Sequence, residues 1–297
     1  MIYKDLHIHS RFSSDGEFSV AEIIHRCQAQ KINTFSITDH NSIKATSEAL
    51  QLAQQAELHF IPGIELDCQH QGTNLHLLGY QIDWRSADFA RVEEEVAAKV
   101  MASFSEMIAN LNRLGFIIDA ATVLAHAEGH LPTGELIAAV MLSDKKYHTP
   151  PLRPYMTGGA RADMPQINFY LDFFAQGKPA FVPISYMSYR DAIALIKDHG
   201  GIPIVAHPGL NFKGRERVVE TLMTQGAAGL EVFNNYHHVA QINYFTTQVQ
   251  QSGGLMTCGS DFHGHTKPLI NIGQFQIERQ FEDYVNQSIQ QIQSATI

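Results

Sequence analysis

Cysteine is scarce in this chain: Cys27, Cys68 and Cys258 are the three among 297 residues. They stand far apart, so neither a disulfide framework nor a CxxC metal knuckle is expected, and a reducing cytoplasm is the expected compartment. No run of about 18 apolar residues occurs, so no membrane-spanning helix is expected. The opening Met1-Ile2-Tyr3-Lys4-Asp5 lacks the basic and apolar regions of a secretory signal. Basic side chains are the minority charge, with 21 Lys+Arg against 30 Asp+Glu and a formal net charge of −9. They form no cluster, so broad electrostatic binding of duplex nucleic acid is not expected. A small phosphate ligand, or a short single-stranded nucleic-acid end, bound through metal ions stays open. Internal repeats and low-complexity tracts are also missing.

What the chain has in excess is histidine, 16 of 297 residues. Histidine is the commonest metal ligand and titrates near neutral pH. A hydrophobic content of 44% is that of a globular protein.

Short apolar runs alternate with amphipathic stretches. Candidate strands fall at residues 3–9, 34–38, 59–66, 75–82, 180–184, 202–206, 229–233, 255–259 and 270–276. Helical patterns lie between many of them, at 20–30 (with Ser19 as N-cap), 43–56, 189–198, 217–224 and 239–251. This alternation predicts parallel βαβ units, and so many strands suit a barrel better than a flat sheet. Residues 89–178 break the rhythm. A long amphipathic helix at 89–114, with Gly115 as its cap, leads to a Pro/Gly-dense run at 148–165. The stretch is expected to be an inserted lid, dividing the barrel into residues 1–88 and 179–297.

The histidines and carboxylates gather at strand ends. The first strand ends in His7-Ile8-His9, whose i and i+2 side chains share a face, and Asp15 follows in the next loop. Later strands carry His40, Glu65, His76, His207 and the pair Asp261 and His263. In a (β/α) barrel such ends converge on the catalytic face. Imidazole and carboxylate ligands without thiolate suit Zn, Mn or Fe(II), and the set is too large for one ion.

In the segments DLHIHSRFSSDG, SITDHNS, PGIEL, HLLGY, IVAHPG and GSDFHG, taken in that order, the sequence resembles the PHP (polymerase and histidinol phosphatase) superfamily. The layout is similar to a subgroup with an Asp six residues after HxH and an insertion between barrel halves. That subgroup includes bacterial phosphatases and exonucleases acting on nucleoside phosphates and short oligoribonucleotides. The resemblance implies an α/β fold, a distorted (β/α)7 barrel with a mainly helical insertion, and two or three divalent ions. It places one ion on His7, His9, Glu65 and Asp261. A second would share Glu65 and add His76 and His207, and a third would take Asp15, His40 and His263. Asp15 stands where other members have His, which favours Mn, Fe or Mg over an all-imidazole site.

The implied reaction is phosphate ester hydrolysis by a metal-bridging hydroxide. Asp39 is a candidate to orient a ligand imidazole or, equally, to cap a helix. His238, with its neighbour His237, is a candidate proton donor to the leaving group. Arg153, Arg161 and Lys178, in or just after the Pro/Gly-rich run, are candidate phosphate contacts. Phe169 and Tyr170 are candidates for base stacking or for the core of the lid. Thr133-Gly134-Glu135-Leu136 stands where nucleotide-cleaving relatives tend to carry Gly-Arg-Pro-His, so their phosphate-contacting Arg has no counterpart here. Two further readings are a histidinol-phosphate-type phosphatase and a non-catalytic metal-binding regulatory module. The long insertion and Asp15 weigh against the former. The full ligand set weighs against the latter.

Overall fold

A computed structural model describes residues 3–295. Among these, β1 (Lys4–Ile8), β2 (Thr34–Ile37) and β3 (His59–Phe60) form a parallel three-stranded sheet. A second sheet is built from β4 (Gly63–His70), β5 (Thr73–Tyr80), β6 (Met187–Ser188), β7 (Ile202–Val205), β8 (Gly229–Phe233) and β9 (Leu255–Cys258). Its order is β6-β4-β5-β7-β8-β9. The strand pairing therefore draws two sheets rather than one closed barrel. They are joined by two single bridges, Ile8 to Phe262 and His40 to Glu65. Both bridges lie at strand ends rich in His and carboxylate.

Several sequence expectations shift for local reasons. The run 59–66 is divided, because Pro62 has no N–H to give a ladder, so β3 ends at Phe60 and β4 starts at Gly63. β4 and β5 form an antiparallel hairpin instead of a parallel unit. Gln71 and Gly72 turn the chain with φ of 48° and 77°, the two positive values a tight hairpin turn uses. Residues 180–184 form no strand, and Ala180 packs instead among the helices. Residues 270–276 are irregular as well. Gly273 there has a φ of 71° and donates its N–H to Asp5.

The helices follow their sequence signals closely. Val20–Ala29 starts at Ser19, whose hydroxyl and the Glu22 carboxylate close a reciprocal capping box. Ala87–Arg113 starts at Ser86 and ends before Gly115, at φ 89°.

Two apolar clusters flank the sheets, one centred on Leu66, Leu77 and Val232 and a smaller one on Ile23, Phe35 and Ala49. A third has no strand in it. Leu111, Ile137, Met141 and Phe169 bring the long helix together with Gly134–Ser143 and Pro165–Phe173. Phe89 at the start of the long helix belongs to the sheet core, and Phe104 further along belongs to the helical core. One rigid helix thus ties the two.

Phe169 is fully buried and its ring meets those of Phe116, Tyr155, Phe173 and Phe174. The core reading of Phe169 therefore holds over the stacking one. Phe169→Ala is expected to lower the free energy of unfolding by about 3–5 kcal/mol, measured by urea titration.

Candidate metal centre

β1 delivers His7 and His9 to one place, both fully buried, with their Nε2 atoms 3.1 Å apart. Each faces two carboxylates. His7 Nε2 lies 3.1 Å from Glu65 Oε2 and 3.3 Å from Asp261 Oδ1. For His9 Nε2 the distances are 3.2 and 3.1 Å. The other oxygen of Glu65, Oε1, lies 3.0 Å from His76 Nδ1 and 3.1 Å from His207 Nε2. Glu65 thus presents one oxygen to each of two groups of imidazoles. Beside them, Asp15 Oδ2 lies 3.1 Å from His263 Nε2 and 3.8 Å from His40 Nε2. All nine sequence candidates meet here. Their ligand atoms fall into compact sets: His7, His9, Glu65 and Asp261; Glu65, His76 and His207; and His9, Asp15, His40 and His263.

These residues fit divalent ions. Glu65 Oε2, His40 Nδ1 and His263 Nε2 are buried and make no hydrogen bond, although each has a charged or polar neighbour within 3.3 Å. Buried polar atoms are rarely left unpaired. Nitrogens and oxygens that are close but misaligned point at a common centre rather than at one another. The donors are nitrogen and oxygen alone, since all three cysteines are buried free thiols outside these sets.

A surrounding shell sets the directions. β8 supplies Glu231, which accepts from His7 Nδ1 at 3.0 Å and from the His207 amide at 2.7 Å. A carboxylate only accepts, so His7 carries its proton on Nδ1 and turns the Nε2 lone pair inward. His263 Nδ1 donates to the Asp261 carbonyl at 2.9 Å with the same result. Asp5 accepts amides from His7, Ser260 and Gly273, which ties the ends of β1 and β9 together. Lys267 Nζ holds Asp261 Oδ2 at 2.6 Å, and the Tyr236 hydroxyl donates to the same oxygen, leaving Oδ1 to face the imidazoles. His207 and Asp261 adopt positive φ, 24° and 56°, a strained backbone that turns both side chains inward. Gly259 is required by close approach, because a Cβ there would lie 2.2 Å from His7 Cβ.

The electrostatics follow from crowding. Burial pushes Glu65 up, but the imidazoles of His7, His40 and His76 outweigh it and hold the carboxyl well below its usual range. For Asp261 burial is outweighed by Lys267, His263 and His7. Asp39 differs: burial pushes it up to about 7 despite its bonds to Ser10.

Other expected site residues lie elsewhere. Asp39 accepts the Ser10 amide and hydroxyl at 2.6 and 2.7 Å and touches no ligand imidazole. His238 caps the helix Val239–Ser252 by accepting from the Gln241 amide. His237 is buried against Val232 and Gly209. Arg161 pairs with Asp172 at 2.9 Å, and Arg153 and Lys178 are exposed. None of these lines the cavity of about 1110 Å³ above the cluster. Its cations are Arg11, Lys44, Arg215 and Lys267.

Sequence reasoning passed over Asp67, Glu231 and Lys267. Asp67 follows Glu65 at i+2 on β4, so strand alternation puts it on the same face, where it lies 3.1 Å from His76. Glu231 is an acid inside the apolar strand GLEVF, itself a sign of a buried partner. Lys267 gives no such signal.

Residues 5–148 match the PHP domain. Among curated relatives the chain is similar to a 3′,5′-nucleoside bisphosphate phosphatase of Chromobacterium violaceum, 26% identical over 280 residues, covering 89% of this chain and 92% of that one. It is also similar to a 5′-3′ exoribonuclease of Haemophilus influenzae, 26% identical over 264 residues, covering 87% and 89%. Among solved structures, a Chromobacterium violaceum protein described as an amidohydrolase with bound sulfate and no metal shares the fold. Its TM-score is 0.75 at 22% identity, over 93% of this chain and 91% of that one.

Replacing Glu231 by Gln is expected to lower divalent-metal affinity about 10–100-fold in a competition titration, because the proton on His7 loses its anionic anchor. Gly259→Ala is expected to yield chains with less bound metal after purification, measured by elemental analysis, since His7 must move.

Proposed function

We propose that this chain is a metal-dependent phosphoesterase that hydrolyses a terminal phosphate ester. The substrate is a small phosphomonoester, a nucleotide or nucleoside bisphosphate, or the end of a short oligoribonucleotide. It binds in the cavity over the cluster, and residues 89–178 act as the inserted lid on a distorted (β/α)7 scaffold of residues 1–88 and 179–297. One observation carries this reading: buried Glu65 turns its two oxygens toward two different sets of imidazoles. The names of the curated relatives, a phosphatase and an exoribonuclease, support the same reaction class. No helix among the described residues is long and apolar enough to cross a membrane.

His7, His9, Glu65 and Asp261 would hold one ion, Glu65, His76 and His207 a second, and Asp15, His40 and His263 a third. Mn, Fe or Zn suit this donor set, and Mg is compatible with the carboxylates. When bound, such ions neutralise phosphoryl oxygens and make water a nucleophile at neutral pH. The remaining work falls to the chain. Glu231 and the Asp261 carbonyl keep protons on the outer nitrogens of His7 and His263. Lys267 brings a fixed positive charge to the cavity floor, beside the place where an anionic ester must lie. Tyr170, Leu171 and Phe174 cover the other side with apolar surface, which excludes water and strengthens every charge interaction beneath it. The phosphate charge is thus met at the cluster, which explains how an acidic chain can take an anionic substrate.

The metal-loaded protein is expected to hydrolyse p-nitrophenyl phosphate. Exhaustive chelation, His9→Ala and Asp261→Ala should each reduce turnover by about 10²-fold or more. Chelation should also lower Tm, because ligand binding to the folded state stabilises it. A loaded protein that cleaves no phosphate ester would defeat this reading.

A further inference from the structure

The cavity has two chemically different sides. The sheet side holds the cluster and Lys267. The opposite wall comes from residues 90–176, and its charged members are Glu93, Glu94, Glu128 and Glu135, with no Lys or Arg. Glu93 is paired with Lys44 at 2.8 Å. The other three have no cation within ion-pair distance among the described residues. Of these, Glu135 is the buried one, 8% exposed, at the start of the helix Gly134–Ser143 and in the cavity lining. Burial, and then the carboxylate of Asp15, push Glu135 up to about 7. Glu135 and Asp15 line the same cavity. Arg11 and Arg215, which could serve a second anion, are exposed, Arg11 over the Phe12 ring and Arg215 against the Thr73 hydroxyl.

We propose that Glu135 is a specificity-determining residue that restricts this enzyme to esters with a single phosphate, whose leaving group meets the lid wall with hydroxyl or amino donors. This rests on the phosphoesterase reading and narrows it. A substrate phosphate is drawn to the sheet side. Whatever is esterified to it must then lie against the acidic and apolar wall. A second phosphate against that wall would lie beside a buried acid, on a surface that itself carries no Lys or Arg, which is unfavourable. A neutral group with donors finds acceptors in Glu135. The identity of that wall also separates this chain from what the name of its bisphosphate-cleaving relative would suggest.

The test uses the full-length, metal-loaded protein and a matched pair of compounds, a nucleoside 5′-monophosphate and the corresponding 3′,5′-bisphosphate. Both are measured as substrates and as competitors of p-nitrophenyl phosphate hydrolysis. The wild type is expected to favour the monophosphate by about tenfold or more, and Glu135→Gln and Glu135→Arg to shift that ratio toward the bisphosphate by about fivefold or more. Glu135→Gln keeps the size and the helix position, so it reports the charge even if Glu135→Arg fails to fold. An equal or reversed preference in the wild type overturns the inference, as does a ratio that neither variant moves. Failure of the wild type to cleave p-nitrophenyl phosphate, either nucleotide or any other ester overturns the phosphoesterase reading itself.

Discussion

Everything in this molecule is arranged around the burial of one carboxylate. Glu65 is fully buried, with Oε2 facing His7 and His9 and Oε1 facing His76 and His207. A lone buried carboxylate is costly, and the cost is offset only by partners of opposite character at close range. Those partners come from strands in both sheets, so the demands of Glu65 are met only when the sheets come together. The bridge from His40 to Glu65 is one of the two joints between them, and the other, Ile8 to Phe262, lies between His7-x-His9 and Asp261-x-His263. The joints between the sheets and the cluster are therefore built from the same short segments.

The supporting residues serve the cluster in two ways. Asp5, Glu231, Lys267 and Tyr236 bond the outer atoms of His7, Asp261 and their neighbours, while Glu65 Oε2, His40 Nδ1 and His263 Nε2 make no hydrogen bond. Gly259 and the strained backbone of His207 and Asp261 let the strand ends close on one another. The price of this geometry is local strain, tolerated because the packed sheets on either side leave the chain no alternative. Above it, the helical core around Leu111 and Phe169 holds one cavity wall on a helix that begins in the sheet core.

Much of this was legible in the residues. Strand ends carrying His or Asp stood out because apolar runs of strand length ended in polar residues that capping or turns did not require. Ser19, Ser86 and Gly115 marked helix limits because caps are local chemistry. The misplacements share one cause. Asp39, His238, Arg153, Arg161 and Lys178 have suitable chemistry near suitable positions, but neighbourhood along a chain does not say where a side chain points. Asp39 turned to Ser10, His238 to its own helix and Arg161 to Asp172. Glu231 and Lys267 were missed for the converse reason, since their partners lie more than two hundred residues away in one case and at the end of a loop in the other.

By itself the sequence determined most helix limits, several of the strands and which residues could hold metal, because periodicity, caps and the choice of nitrogen and oxygen donors are properties of short segments. Only the tertiary structure decided the rest. Two sheets meet at single bridges, and β4 turns back on β5. Glu65 divides its oxygens between two groups of imidazoles, and a buried acid of the helical part lines the same cavity as the cluster. These depend on directions and distances between segments remote in the chain. Such directions are set by packing and by the need to pair buried charge, which no single segment can satisfy alone.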